Sequence, residues 1–200
     1  MAARDPSQMV SAMDPSAGAV RGTVGLPTGE AARIRPIRAD DAPRLQALFA
    51  RLSPATRYRR FFSHRRALPA AAAARFAEVD ARTRLAVVAE RPTPAGPELV
   101  GVARCDVVDP RAPRTAGVAM VVEDRFQHAG LGRALLRALV AAARAQGVTR
   151  FEGDLLTENH PVLAFVRSAG FPVTLETRGS EIHFTAEIGA GTGTDGDAGR

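Results

Sequence analysis

The stretch Val118-Ala119-Met120-Val121-Val122-Glu123-Asp124-Arg125-Phe126-Gln127-His128-Ala129-Gly130-Leu131-Gly132-Arg133 decides the fold of this chain. Val118 to Val122 is a short apolar run rich in β-branched residues, the pattern of a buried strand. Glycines at 130 and 132 break it, and Arg133 to Gln146 then reads as a strong helix. Leu131, Leu135, Ala138, Leu139 and Ala142 fall on one helical face. Gly147 follows as a C-terminal cap. A strand that enters a helix through glycines leaves the first backbone N–H groups of that helix pointing into open space. With the positive end of the helix dipole, those donors make an anion site. Glycines let a bulky diphosphate approach the backbone without a Cβ clash, and Arg133 in the first turn adds a charged donor. A Walker loop is excluded because the chain contains no lysine. A dinucleotide fingerprint is excluded because Leu135 stands where its third glycine belongs.

Outward from this core, strands and helices alternate. Downstream, Phe151 to Leu156 reads as a strand. Asn159 and Pro161 open a short helix ending at Gly170, and Val173 to Glu176 pairs with Ile182 to Glu187 as a hairpin. Upstream, Thr115 to Val122 is preceded by Leu85 to Glu90 and Leu99 to Val108, a hairpin across the turn-rich Pro92 to Pro97. Pro69 to Val79 is an alanine-rich helix. Ser53-Pro54 starts a helix with Tyr58, Phe61 and Phe62 on one side. Leu45, Leu48, Phe49 and Leu52 repeat on another, capped by Asp40 or Asp41. Ile34 to Arg38 is a first short strand. Residues 1–31 read as a disordered leader and 189–200 as a flexible tail, leaving one domain over 32–188. The order is α/β, with antiparallel strands early and one βαβ-like crossover.

Composition removes several function classes. No apolar run approaches the roughly 18 residues of a membrane span, and Asp5 and Asp14 interrupt any secretory leader, so a cytoplasmic protein with no membrane contact is expected. Cys105 is the sole cysteine, which excludes an intrachain disulfide and a cysteine-based zinc site, and no metal is expected. The net charge of +6 comes entirely from arginine, scattered along the chain, with aromatic residues at only 5%. A nucleic-acid ligand would call for cations on one face with groove-reading or stacking partners, so none is expected. The one local cluster, Arg57, Arg59, Arg60, His64, Arg65 and Arg66, reads as a solvated helix face or as a site for an acidic partner or the adenosine phosphate of a cofactor.

Gln127-x-x-Gly130-x-Gly132 resembles the pyrophosphate-loop signature Q/R-x-x-G-x-G/A of the GNAT acetyltransferases. Asn159 with Gly170-Phe171 is similar to that family's later N…G-F motif. Leu52 to Phe62 resembles the L-S-P-x-[ST]-R-Y-x-R-F-F segment of bacterial protein-lysine acetyltransferases, and Gly153 to Asn159 resembles their G-[DE]-V-L-x-E-N. The resemblance implies a mixed, mostly antiparallel sheet flanked by helices and splayed between the fourth and fifth strands, with acetyl-CoA in the V. It implies that backbone groups of Val121 and Val122 hold the pantetheine arm. Those of His128, Ala129, Gly130, Leu131, Gly132 and Arg133, in the loop begun by Gln127, hold the pyrophosphate. Asn159 lies near the CoA arm or thiol, or is a plain helix N-cap. The acceptor is a primary amine, on a protein lysine or a small molecule.

The sequence departs from that pattern where proton transfer is concerned. A lysine amine of pKa about 10.4 is almost wholly protonated at neutral pH, a deficit of roughly 4 to 5 kcal/mol that a base must offset. The family's strand Glu aligns with Gly117, and its later Tyr with Val166. A CoA thiolate leaves tolerably without an acid, so the missing base is the larger loss. Asp154, beside the splay, is the first substitute. Glu123 is the second, with Asp124 and Glu152 behind them, each weighed against simple pairing with arginine. A catalytically impaired acyl-CoA-binding sensor is the alternative reading.

Overall fold

The computed structural model describes residues 22–109 and 115–189. Among these, strands β1 (Gly22–Gly25), β2 (Ala31–Pro36), β3 (Arg84–Arg91), β4 (Glu98–Val107), β5 (Thr115–Val122), β6 (Arg150–Leu156), β7 (Val173–Arg178) and β8 (Glu181–Glu187) form one sheet in the order β1-β2-β3-β4-β5-β6-β8-β7. Helices α1 (Ala42–Arg51), α2 (Pro54–Phe61) and α3 (Ala70–Ala77) cover one face. Helix α4 (Leu131–Ala145) covers the other, with α5 (His160–Arg167) beside it. Every neighbouring pair is antiparallel except β5–β6.

That exception shapes the molecule. β5 and β6 pair only over Thr115↔Arg150, Ala116↔Phe151 and Gly117↔Glu152, then diverge. From Val118 to Val122, β5 is held by β4 alone, so one row of its backbone N–H and C=O groups faces the opening. Gly153 is required at the apex: a Cβ there would lie 2.9 Å from the Phe184 ring and 3.1 Å from the Val118 carbonyl. This is the expected splay, which falls between β5 and β6 because a strand precedes the first one read from sequence.

The additional strand is β1, inside the segment read as a disordered leader. Thr23 and Val24 are too few to show a period between their glycines. Pairing with β2, from Gly22↔Ile34 to Gly25↔Ala31, and burial of Leu26 at the turn hold it instead. Residues 1–21 and 190–200 lie outside the described residues.

Helix α4 follows from its spacing. Leu131, Ala134, Leu135, Ala138, Leu139, Val140 and Ala143 are buried against the sheet, with Leu131, Leu135 and Leu139 fully so. Gly147 (φ +79) closes it, its N–H donating to Arg144 while Val148 N–H donates to Ala143. Ser53 caps α2 through Thr56 N–H, as its sequence predicts. Asp41 precedes α1 but does not cap it. Its carboxylate accepts from Arg38 N–H and from the buried Arg35 guanidinium instead, because an unpaired buried cation costs more than an uncapped turn.

Candidate active site

The splay opens a cleft of about 1030 Å³ between β5, β6, α2, α4 and α5. At its wide end the chain leaves β5, makes a single 3-10 turn at Asp124–Phe126 and enters the loop before α4. Phe126 is fully buried there and anchors the turn. Gln127 reaches back, its Nε2 donating to the Val122 carbonyl at 3.0 Å. His128 and Gly130 both take positive φ, +61 and +79. Left-handed backbone is costly for His128, and two such residues around Ala129 curl successive N–H groups into a concavity with the geometry that suits an anion. Ala134 is the first residue whose N–H finds a backbone acceptor, Gly130 O at 3.1 Å. Among the described residues, the N–H groups of 128–133 donate to no protein acceptor. Gln127, His128, Gly130, Gly132 and Arg133 line the cleft, and Arg133 also donates to Ser168 Oγ.

The opposite wall is β6 with α5. Asn159 occupies the N-cap position of α5, yet its side chain makes no capping bond. It is 3% exposed, lines the cleft, and its Oδ1 accepts from no partner among the described residues. A buried carbonyl without a donor is a rare and costly arrangement, and the side chain does not act as the plain helix N-cap that the sequence allowed.

The expected carboxylates separate by environment. Glu123 is 3% exposed and points away from the cleft, its Oε2 accepting from Arg51 Nε at 2.9 Å and its Oε1 bonded to Arg125. It pins α1 under the loop, and it is absent from the cleft lining, which leaves it no route to an acceptor. Asp124 is taken up similarly, by Ser53 N–H, Ser53 Oγ and Thr56 Oγ1 at 2.9, 2.6 and 2.7 Å. Burial pushes its carboxyl up, but these donors outweigh that and hold it below the usual range. Glu123 thus makes the arginine pairing that sequence offered as its alternative, whereas Asp124 is held by a hydroxyl-bearing helix start and, among the described residues, by no arginine.

Asp154 and Glu152 do line the cleft. Asp154 Oδ1 lies 2.8 Å from His183 Nδ1, and His183 lines the cleft too. His183 escaped the sequence reading. It sits opposite Asp154 only because β6 pairs with β8 rather than β7, and no local pattern reveals that register. Glu152 makes no hydrogen bond or ion pair among the described residues. Gly117, where a strand Glu was expected, lies at the apex with Glu152 and Asp106 as its Cα partners. Val166, at the expected Tyr position, is buried.

The arginine cluster read as a solvated face is partly packed. Arg57 lies 4.9 Å over Phe49, Arg60 4.8 Å over Phe61, and His64 stacks on Tyr58 at 4.7 Å. Arg59 and Arg60 line the cleft. Cys105 is buried, its thiol pushed up to about 12, which makes it unreactive. Among the described residues, no group of three or more His, Cys, Asp or Glu is placed to hold a metal, and no helix is long and apolar enough to cross a membrane.

Known proteins share this fold. The Acetyltransferase (GNAT) family matches residues 46–171. The GNAT domain of S. lividans PAT is similar at 29% identity and a TM-score of 0.74, over 84% of this chain and 96% of that one. A cAMP-binding acyltransferase from Mycobacterium smegmatis aligns at 26% identity and a TM-score of 0.56. That match covers 84% of this chain but 47% of the other, so this chain spans about half of that relative. A putative acetyltransferase from Salmonella typhimurium, solved with its cofactor acetyl-CoA, shares the fold at 18% identity and a TM-score of 0.61, over 78% of this chain and 92% of that one.

Proposed function

Because the chain belongs to the GNAT acetyltransferase family, we propose that it transfers an acetyl group from acetyl-CoA to a primary amine. The observation that carries this reading is the concavity at 128–133, whose free N–H groups open onto the same cleft as the orphaned Asn159 Oδ1. The residues fit the donor. Backbone N–H groups from His128 to Arg133 receive the diphosphate, and Gly132, which carries no side chain, gives it room. The unpaired edge of β5, with Val121 and Val122, runs alongside the pantetheine arm. Asn159 accepts from an amide N–H of that arm. When bound, the thioester supplies the activated acetyl group.

The chain's own residues handle the proton. With His183 Nδ1–H donating to Asp154, the imidazole is held in the tautomer whose Nε2 takes a proton from the amine, directly or through a water. Asp154 then stabilises the imidazolium it faces. Glu152, at the apex with no hydrogen bond or close ion pair among the described residues and only the longer-range charge of Arg178 near it, favours entry of a cationic amine. This arrangement stands in for the strand Glu absent at Gly117.

Purified protein given acetyl-CoA and amines should release thiol only when an accepting amine is present. His183→Ala and Asp154→Asn should each lower kcat/KM by about 10²- to 10⁴-fold, and the double variant should be no worse than the weaker single one, because the pair acts as a unit. Full activity in His183→Ala would remove the dyad from the reading. Coenzyme A binding without thiol release for any amine would favour the sensor alternative.

A further inference from the structure

Resting on that reading, we infer that the acceptor is an amine that also carries an anionic group, of the amino-acid kind, with Arg60 as the cation that receives it.

Arg60 projects from α2 into the cleft. Among the described residues its guanidinium has no hydrogen bond or ion pair, only the Phe61 ring at 4.8 Å. Burial, followed by the like charge of Arg104, pushes it down to about 10, so it stays charged at neutral pH while lacking the counterion that half-buried cations ordinarily have. The local balance sharpens this. Asp106 is the one carboxylate among these groups, and it is already shared by Arg104 at 3.0 Å and Arg84 at 3.3 Å. Arg59, exposed on the same wall, adds another cation. This end of the cleft carries an excess of positive charge.

The donor's phosphates do not account for it. Asp106, which faces Arg60, is the β4 partner of Gly117 at the apex, whereas the phosphate loop begins beyond Val122. A strand rises about 3.3 Å per residue, which puts the two ends of this segment roughly 17 Å apart. Arg60 therefore attends the reacting end.

Across the apex, Asp106, Gly117 and Glu152 are Cα partners on three adjacent strands, so their side chains share one face. Strands lie about 4.8 Å apart, which separates the cationic side from Glu152 by roughly 10 Å. Gly117 leaves the interval open: a Cβ there would meet only the Asp106 carbonyl, at 3.8 Å. A trough whose two sides carry a guanidinium and a carboxylate, neither with a hydrogen bond or close ion pair among the described residues, suits a small molecule with an anion and an ammonium. An uncharged amine leaves Arg60 unmatched.

The test compares matched acceptors: free amino acids, the same amino acids as carboxyamides, and an end-blocked lysine peptide, each with acetyl-CoA. Wild type should favour acids over amides by about tenfold to a hundredfold in kcat/KM, chiefly through KM. Arg60→Gln should collapse that ratio toward one, Arg60→Lys should restore part of it, and coenzyme A affinity by calorimetry should move less than twofold. Equal use of acid and amide by wild type, preference for the blocked peptide, or a ratio unmoved by Arg60→Gln would overturn the inference. So would a tenfold loss of coenzyme A affinity in Arg60→Gln, which would return Arg60 to the donor. If nothing is acetylated, titrating the amino acids into coenzyme-A-saturated protein still decides. Heat lost on Arg60→Gln keeps the anion site while the transferase reading falls, and no heat with any amino acid overturns the site.

Discussion

Gly132→Asp is expected to weaken coenzyme A binding at least about 100-fold while leaving the protein as stable as before or more so. The two effects have different origins. The nearest atoms a Cβ at Gly132 would meet are the Phe165 ring at 3.5 and 3.8 Å and Met120 Cε at 3.7 Å, ordinary contact distances, so a Cβ there displaces nothing. Replacing a helical glycine removes conformational entropy from the unfolded chain, and an acidic group in the first turn of α4 faces the favourable end of its dipole. The same carboxylate stands where the N–H groups of 128–133 would receive a diphosphate. Like charges about 4 Å apart cost roughly 4 kcal/mol at an effective dielectric constant near 20, which exceeds a 100-fold change in Kd. Gly130→Asp would not separate these effects, since φ of +79 there strains any side chain. Gly132→Ala is the control, with affinity within a few-fold of wild type. Calorimetry and a thermal melt on the variants suffice. Unchanged affinity in Gly132→Asp would mean that this turn holds no phosphate.

The loop and α4 were legible in sequence because their determinants are local. Two glycines, an apolar run before them and a leucine stripe after them leave little freedom, and the Ser53 cap is equally self-contained. What sequence did not show is set by register and by partners distant in the chain. His183 meets Asp154 through the β6–β8 ladder, and Arg51 on α1 claims Glu123 just past the end of β5. Nothing near Glu123 or Asp154 says that one carboxylate is consumed and the other faces a cleft. Burial of Arg60 is similarly invisible: its neighbours Arg59 and Arg65 are exposed, and only the packing of α2 against β5 separates them. Strand β1 was missed for the complementary reason, since its stability comes from backbone pairing with β2 and its side chains carry almost no pattern.

The other large effect should come from Asp41→Ala, at a site with no cleft residue in it. Arg35 is 3% exposed and crosses between β2 and the start of α1. Asp41, with no exposed side-chain surface, grips it through two bonds of 2.7 and 2.8 Å. Glu90 on β3 takes the remaining guanidinium edge at 2.6 and 2.8 Å. Deleting Asp41 leaves a buried guanidinium half compensated and strips Arg38 N–H of its acceptor, a loss of about 3 to 5 kcal/mol. That is a large share of a typical folding free energy, and it should lower Tm by about 10 °C or more. The pH dependence identifies the cause. Burial pushes the Asp41 carboxyl up, but Arg35 and the Arg38 N–H more than reverse that, and its folded value lies below the ordinary carboxylate range. A carboxyl depressed by folding stabilises the protein above its unfolded pKa, near 4, and loses that contribution as pH falls through the folded value. The gap between wild type and Asp41→Ala in urea denaturation should therefore be full at pH 7 and shrink below pH 4. A gap that stayed constant with pH would assign the loss to cavity formation and not to charge. Because α1 also carries Arg51 to Glu123 beneath the loop before α4, coenzyme A bound there should restore part of the lost Tm, as any ligand that binds only the folded state does.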